Sequence, residues 1–108
     1  MKVQWDEVEA KQKSENHSMR ELEFSSFYLT RHEYEAGWFD ENHQHPEMQF
    51  SYVLEGSMSV FIKGGDVIEQ GQGQSIFIQS MAMHRSTAPT TRTVALNLYM
   101  KYFVPLSS

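Results

Sequence analysis

Residues 37–56 read GWFDENHQHPEMQFSYVLEG, and the reading of this stretch decides the fold. His43 and His45 stand one residue apart, so in extended chain both imidazoles project to the same side. Two imidazoles on one face make half of a metal site. Pro46 then interrupts the strand, because a proline cannot donate to a sheet ladder. The run that follows places Gln49, Ser51 and Val53 on one face and Phe50, Tyr52 and Leu54 on the other.

The same two-residue alternation extends outward in both directions. SSFYLTRHEY, QFSYVL, SMSVFI, QSIFI and TVALNLYMKYF are rich in β-branched and aromatic residues. Gly37, Pro46, Gly56, Gly64-Gly65, Gly71 and Gly73 punctuate them, the spacing of short strands joined by tight turns in a small sandwich or barrel. Gly64-Gly65 reads as the tip of a hairpin joining SVFI to DVIE. The chain is therefore expected to be all-β. Met1 to Asn16 is polar enough for a short helix or an ordered arm, with Trp5 and Val8 as a packing edge. Residues 1–23 are expected to be an N-terminal arm on the barrel, and residues 24–108 the β-barrel domain.

Composition narrows the function classes. A chain of 108 residues favours a single domain with one core. No apolar run reaches the roughly 18 residues of a membrane span, so a soluble protein without membrane partners is expected. The N-terminal MKVQWDEVEAKQK lacks the apolar stretch of a secretory signal, in keeping with a cytoplasmic location. There are no cysteines, so a metal must be held by histidine, carboxylate, amide or water. Net charge is −5 and the lysines and arginines are scattered. No basic stripe offers phosphate contacts, so no nucleic-acid partner is expected.

The intervals are specific. Gly37, His43, His45, Gln49 and Gly56 resemble the first motif of the cupin superfamily, glycine, a histidine pair, an acid and a closing glycine, with glutamine in the acid's place. Gly73, Gln79, Met81, His84 and Ala88 fall at the spacing of the second motif, where Gly73 and His84 match and the proline, glycine and asparagine are replaced. The likeness covers residues 24–103. It implies a single-domain cupin, a jelly-roll-like double-stranded β-barrel.

The resemblance further implies that His43, His45 and His84 bind one divalent transition metal ion, with position 49 as fourth ligand. Gln49 is neutral, so such a site keeps the full formal charge of the metal and polarises a bound carbonyl or hydroxyl. Glu47 is the competing ligand, with the parity of Gln49 and a harder oxygen. Three imidazoles and an amide suit zinc, nickel, iron, manganese or copper alike.

The last strand alternates Val94, Leu96, Leu98 and Met100 against Ala95, Asn97, Tyr99 and Lys101. In small cupins this strand passes beside the metal pocket, so an inward second row would put Asn97 and Tyr99 against a substrate. His32 reads as a packed or solvated strand histidine, His17 as a surface one, and Arg31 as an ordinary ion-pair partner. Met81 replaces a family glycine, which places the loop shape in question. The row Phe50, Tyr52 and Leu54 needs a cover, and small cupins are commonly dimers, so a homodimer is expected.

Among small cupins the chain is most similar to the pectin-degradation type that converts unsaturated uronates into keto sugars, although Asn97 stands where that type carries an acid. The resemblance implies an isomerase, tautomerase or lyase acting on a small oxygenated acid or sugar-derived compound; because Asn97 cannot move a proton, that role is expected of Tyr99, with Asn97 orienting the substrate. The alternatives are a non-catalytic small-molecule sensor and an iron-dependent dioxygenase.

Overall fold

A computed structural model of the chain describes residues 1–101. The end of the expected last strand, Tyr102 and Phe103, lies outside the described residues, as does the rest of the expected domain to residue 108. After a 3-10 turn at Trp5–Glu7 come ten strands: β1 (Ala10–Ser14), β2 (His17–Glu23), β3 (Phe27–Tyr34), β4 (Trp38–Phe39), β5 (Met48–Glu55), β6 (Ser57–Ile62), β7 (Val67–Gly71), β8 (Ser75–Ile78), β9 (His84–Ala88) and β10 (Thr93–Met100). They form two antiparallel sheets, ordered β1-β2-β3-β10-β5-β8 and β4-β9-β6-β7. The all-β expectation holds, and the arrangement is a jelly roll of two facing sheets rather than a fully closed barrel.

Alternation along the strands sorts side chains between the faces. On β5, Gln49, Ser51 and Val53 are buried and Phe50, Tyr52 and Leu54 only partly so. On β10, Ala95 and Asn97 are buried while Leu96, Leu98 and Met100 face outward. The register puts Asn97 between Thr30 of β3 and Ser51 of β5, so small polar groups line the inner face there. Tyr34, Trp38, Val53, Met58, Ala88 and Ala95 form the apolar core, and Tyr34, Trp38 and Met58 reach from it to a cavity between the sheets.

Residues 1–23, expected as an arm, contribute two strands of the larger sheet: β1 and β2 form a hairpin, and β2 pairs with β3 from His17↔Tyr34 to Glu23↔Tyr28. The hairpin of β6 and β7 turns at Gly64, as its sequence indicated. Gly56 is required for two reasons. Its φ is +85°, and a Cβ there would sit 2.5 Å from the Arg92 carbonyl oxygen and from Thr93 Oγ1. That crowding marks where β5 turns into β6 against the start of β10, with Thr93 Oγ1 donating to the Ser57 carbonyl at 2.9 Å.

The candidate metal centre and its cavity

His43 and His45 were expected on one extended strand. Instead the segment from Asp40 to Glu47 is irregular, and His43 makes only an isolated bridge to His84. The proline and the short polar residues around it leave no ladder to join. Backbone hydrogen bonds fix the histidines in place of a strand. His43 and His84 exchange N–H···O bonds of 2.9 Å in both directions, and the Met81 N–H donates to the His45 carbonyl at 2.8 Å. The His43–His45 segment is thus tied through its main chain to the distant segment from Met81 to His84.

Their rings converge. Each offers a nitrogen, and these atoms all lie within 4.8 Å of one another. Each ring also uses Nδ1 on a nearby carbonyl: His43 with Glu41 at 2.8 Å, His45 with Glu47 at 2.9 Å and His84 with Ala82 at 2.9 Å. A carbonyl only accepts, so each Nδ1 carries the proton and each Nε2 is left with a lone pair. Gln49 Oε1 stands 3.2 Å from His45 Nε2. Several acceptor atoms facing one point with no proton between them is the donor set a cation satisfies, so the residues present fit a divalent transition metal. Burial pushes the pKa of His84 down, which keeps its ring neutral and able to ligate. Glu47 is not part of this convergent group, and its side chain lines a neighbouring outer cavity.

The loop carrying His84 bears on the missing glycine. Met81 adopts φ +65°, the left-handed conformation that a side chain resists. The loop therefore keeps its turn although Met81 stands where glycine would be relaxed. The reward is local, since it is the Met81 N–H that holds His45.

Between the sheets the centre opens into a cavity of about 150 Å³, lined by His43, Gln49 and His84 together with Asn97 and Tyr99. The second row of β10 thus faces inward. Asn97 Nδ2 donates to the Tyr99 hydroxyl oxygen at 3.3 Å, leaving the tyrosine proton free for another acceptor. Burial raises the Tyr99 pKa to about 12, so this group remains protonated at neutral pH. An outer cavity of about 340 Å³ shares Tyr99 and adds His45, Glu47, Glu21, Tyr28 and Lys13.

Residues 30–100 match the cupin domain family. The chain is a cupin. No curated protein matches it by sequence. Among solved structures, an RmlC-like cupin from Shewanella frigidimarina superposes with a TM-score of 0.83 at 20% identity, over 93% of this chain and 89% of that one. KdgF from Halomonas sp. gives 0.80 at 17% identity over 91% and 92%. The polyketide cyclase RemF from Streptomyces resistomycificus gives 0.79 at 26% identity, over 97% of this cupin and 82% of its own chain.

Asp40 and the burial of His17 escaped the sequence, whereas His32 is packed, one of the two fates expected of it. Asp40 accepts the Ser86 N–H at 2.6 Å and lies 3.7 Å from His43 Nδ1; burial raises its pKa. Its one sequence signal was its place three residues before His43. His17, expected at the surface, is half-buried and hydrogen-bonds through Nε2 to His32 Nδ1 at 2.8 Å. His32 Nε2 in turn meets Thr30 Oγ1 at 2.8 Å, and that hydroxyl donates to the Asn97 carbonyl at 3.3 Å. The hydroxyl must then accept from His32 Nε2–H, and His32 Nδ1 from His17 Nε2–H. Burial lowers the pKa of His17 to about 4 and of His32 to about 3, with Lys13 adding to both, so both rings are neutral. Only the β2–β3 register, which sets His17 opposite Tyr34, makes this pair. Arg31 behaves as the ion-pair partner expected, 2.9 Å from Glu33 and outside the cavity.

Proposed function

We propose that this cupin binds one divalent transition metal ion through His43, His45, Gln49 and His84 and catalyses an isomerisation, tautomerisation or lyase reaction on a small oxygenated substrate. The observation that carries this reading is the convergence of three deprotonated Nε2 atoms and an amide oxygen at the mouth of a cavity. When bound, the ion supplies Lewis-acid polarisation of a substrate carbonyl or hydroxyl. The neutral ligand set leaves its charge undiminished.

The chain's own residues do the rest. Tyr99, protonated and with its oxygen already serving Asn97, points its hydroxyl proton at developing negative charge on the substrate and supplies the proton of a tautomerisation. Asn97, held between β3 and β5, fixes the position of Tyr99 and orients the substrate. A tautomerisation of this kind needs no oxidant: Tyr99 gives its proton to carbon, and the tyrosinate left behind takes up the proton that the enol oxygen releases. The likeness to the uronate-ketonising type favours a sugar-derived acid, while the likeness to a polyketide cyclase favours a polyketide.

The deciding experiment combines elemental analysis with turnover. About one equivalent of transition metal is expected in the purified protein, lost in His45→Ala together with activity on enolisable substrates. Full metal content in that variant would remove the ligand assignment; ligand binding without turnover would make the protein a sensor.

The outer face of the larger sheet supports a homodimer. Leu22, Leu29, Leu98, Phe50 and Phe77 lie side by side across five neighbouring strands, and Phe77 is 61% exposed. Such a continuous apolar rung suits a second copy. Light scattering should give twice the chain mass, and Phe50→Asp should reduce it to one.

A further inference from the structure

The hydrogen-bonded line from His17 to Thr30 runs equally well in either direction. In one direction His17 Nε2–H donates to His32 Nδ1 and His32 Nε2–H to Thr30 Oγ1, both at 2.8 Å, while the hydroxyl proton goes to the Asn97 carbonyl at 3.3 Å. In the other, the Thr30 hydroxyl donates to His32 Nε2 and His32 Nδ1–H donates to His17 Nε2 over the same two distances of 2.8 Å. Only the longest bond, that to Asn97, is given up. The arrangements differ at His17 Nδ1, which has no hydrogen-bond partner among the described residues: it carries a lone pair in the first and a proton in the second. The His17 ring lies on Tyr34 and edge-on to Trp38, both in the wall of the inner cavity that His17 and His32 also border. Thr30 borders the outer cavity, so the line runs from one cavity to the other.

We propose that His17 is a ligand contact of the inner cavity that switches between hydrogen-bond acceptor and donor, with His32 and Thr30 relaying the proton to the outer cavity. This deepens the proposed function and rests on it for the ligand class, an enol and its ketone. An enol O–H donates to the bare Nδ1, and a ketone oxygen accepts from Nδ1–H; a fixed tautomer suits only one of the two. In the switch, Nδ1 takes a proton from water in the inner cavity, each Nε2 proton moves one place along the line, and the Thr30 hydroxyl releases its own to water in the outer cavity. The line holds the same number of protons before and after. Burial keeps both rings neutral throughout, so a divalent ion in the inner cavity biases the choice between the two arrangements without adding or removing a proton.

The test uses phenol, a stable enol that donates strongly, and cyclohexanone, a ketone of the same ring size that only accepts. Chelated and zinc-loaded protein, isotopically labelled in the histidine rings, is titrated with each at neutral pH. Long-range proton–nitrogen correlation spectra report which nitrogen bears the proton, and His17→Gln and His32→Gln assign the signals. Without ligand and with phenol, both rings are expected to hold the proton on Nε2, phenol moving only the His17 Nδ1 signal. Cyclohexanone is expected to carry both rings to the Nδ1–H form together as it binds. Thr30→Val removes the acceptor of His32 Nε2–H, so it should place both rings in the Nδ1–H form without ligand and raise affinity for the ketone over phenol about threefold or more. Thr30→Ser, which keeps the hydroxyl, should restore the original ratio. Rings that keep their tautomers with cyclohexanone bound, or a change in His17 without one in His32, would overturn the inference. So would His17 signals that neither probe moves at about 50 mM, a concentration that fills even a millimolar site. A protein that takes up no zinc yet switches loses the metal-dependent function and keeps this contact; one that binds zinc with His17 inert does the reverse.

Discussion

Two histidine clusters share one cavity and are built in opposite ways. His43, His45 and His84 sit on irregular segments and a strand end, give their Nδ1 protons to nearby carbonyls and turn three lone pairs toward one point. His17 and His32 sit on neighbouring strands and direct their nitrogens to each other and to Thr30. The first cluster leaves three acceptor nitrogens close together, a set that could hold a cation, and the second satisfies its facing nitrogens within itself. Whether a buried imidazole is a ligand or a wall therefore depends on where its second nitrogen is satisfied.

The strongest way to break this contrast is to remove one histidine from each cluster. His84→Ala should take metal content from about one equivalent to none by elemental analysis, whereas His32→Gln should retain it. Loss of metal in both would show that the two clusters act as one site.

Stability should divide in the opposite sense. His32 is buried and packed against His17 and Tyr34, so His32→Ala should cost about 2–4 kcal/mol in denaturant unfolding. In metal-free protein His43→Ala, whose side chain is 42% exposed, should change stability by only about 0.5 kcal/mol.

The pH dependence sharpens the contrast further. His17 and His32 titrate at about 4 and about 3 in the fold and near 6.5 when unfolded. Above that value both states are neutral and the stability of the pair is fully present. As pH falls through 6.5 the unfolded chain takes up protons that the fold refuses, so stability should decline down to about pH 4 and level off near 3. Thermal melts across this window should show the decline, and the double variant His17→Gln, His32→Gln should flatten it.

The smallest effect concerns the loop that holds the metal-side cluster. Met81→Gly removes the left-handed strain at φ +65° and should raise stability by up to about 1 kcal/mol. An unchanged or lower denaturation midpoint would mean that the greater freedom of the glycine in the unfolded chain offsets the relief.

The sequence by itself determined the strand alternation, the glycine punctuation and the spacing of His43, His45, Gln49 and His84, because each depends on neighbours a few residues away and on fixed intervals. It also showed that β10 has one apolar and one polar row. Which row faces the cavity was decided by tertiary structure: the outer row of β10 joins Phe50 and Leu29 across the sheet, and the inner row meets Thr30 and Ser51. The same applies to His17, Asp40 and the two strands within residues 10–23. A histidine in a polar segment carries no local sign of burial, since its partner arrives through a register set by the β2–β3 pairing. Local periodicity fixes which residues share a face; only the closing of two sheets on one another decides which face is the inside.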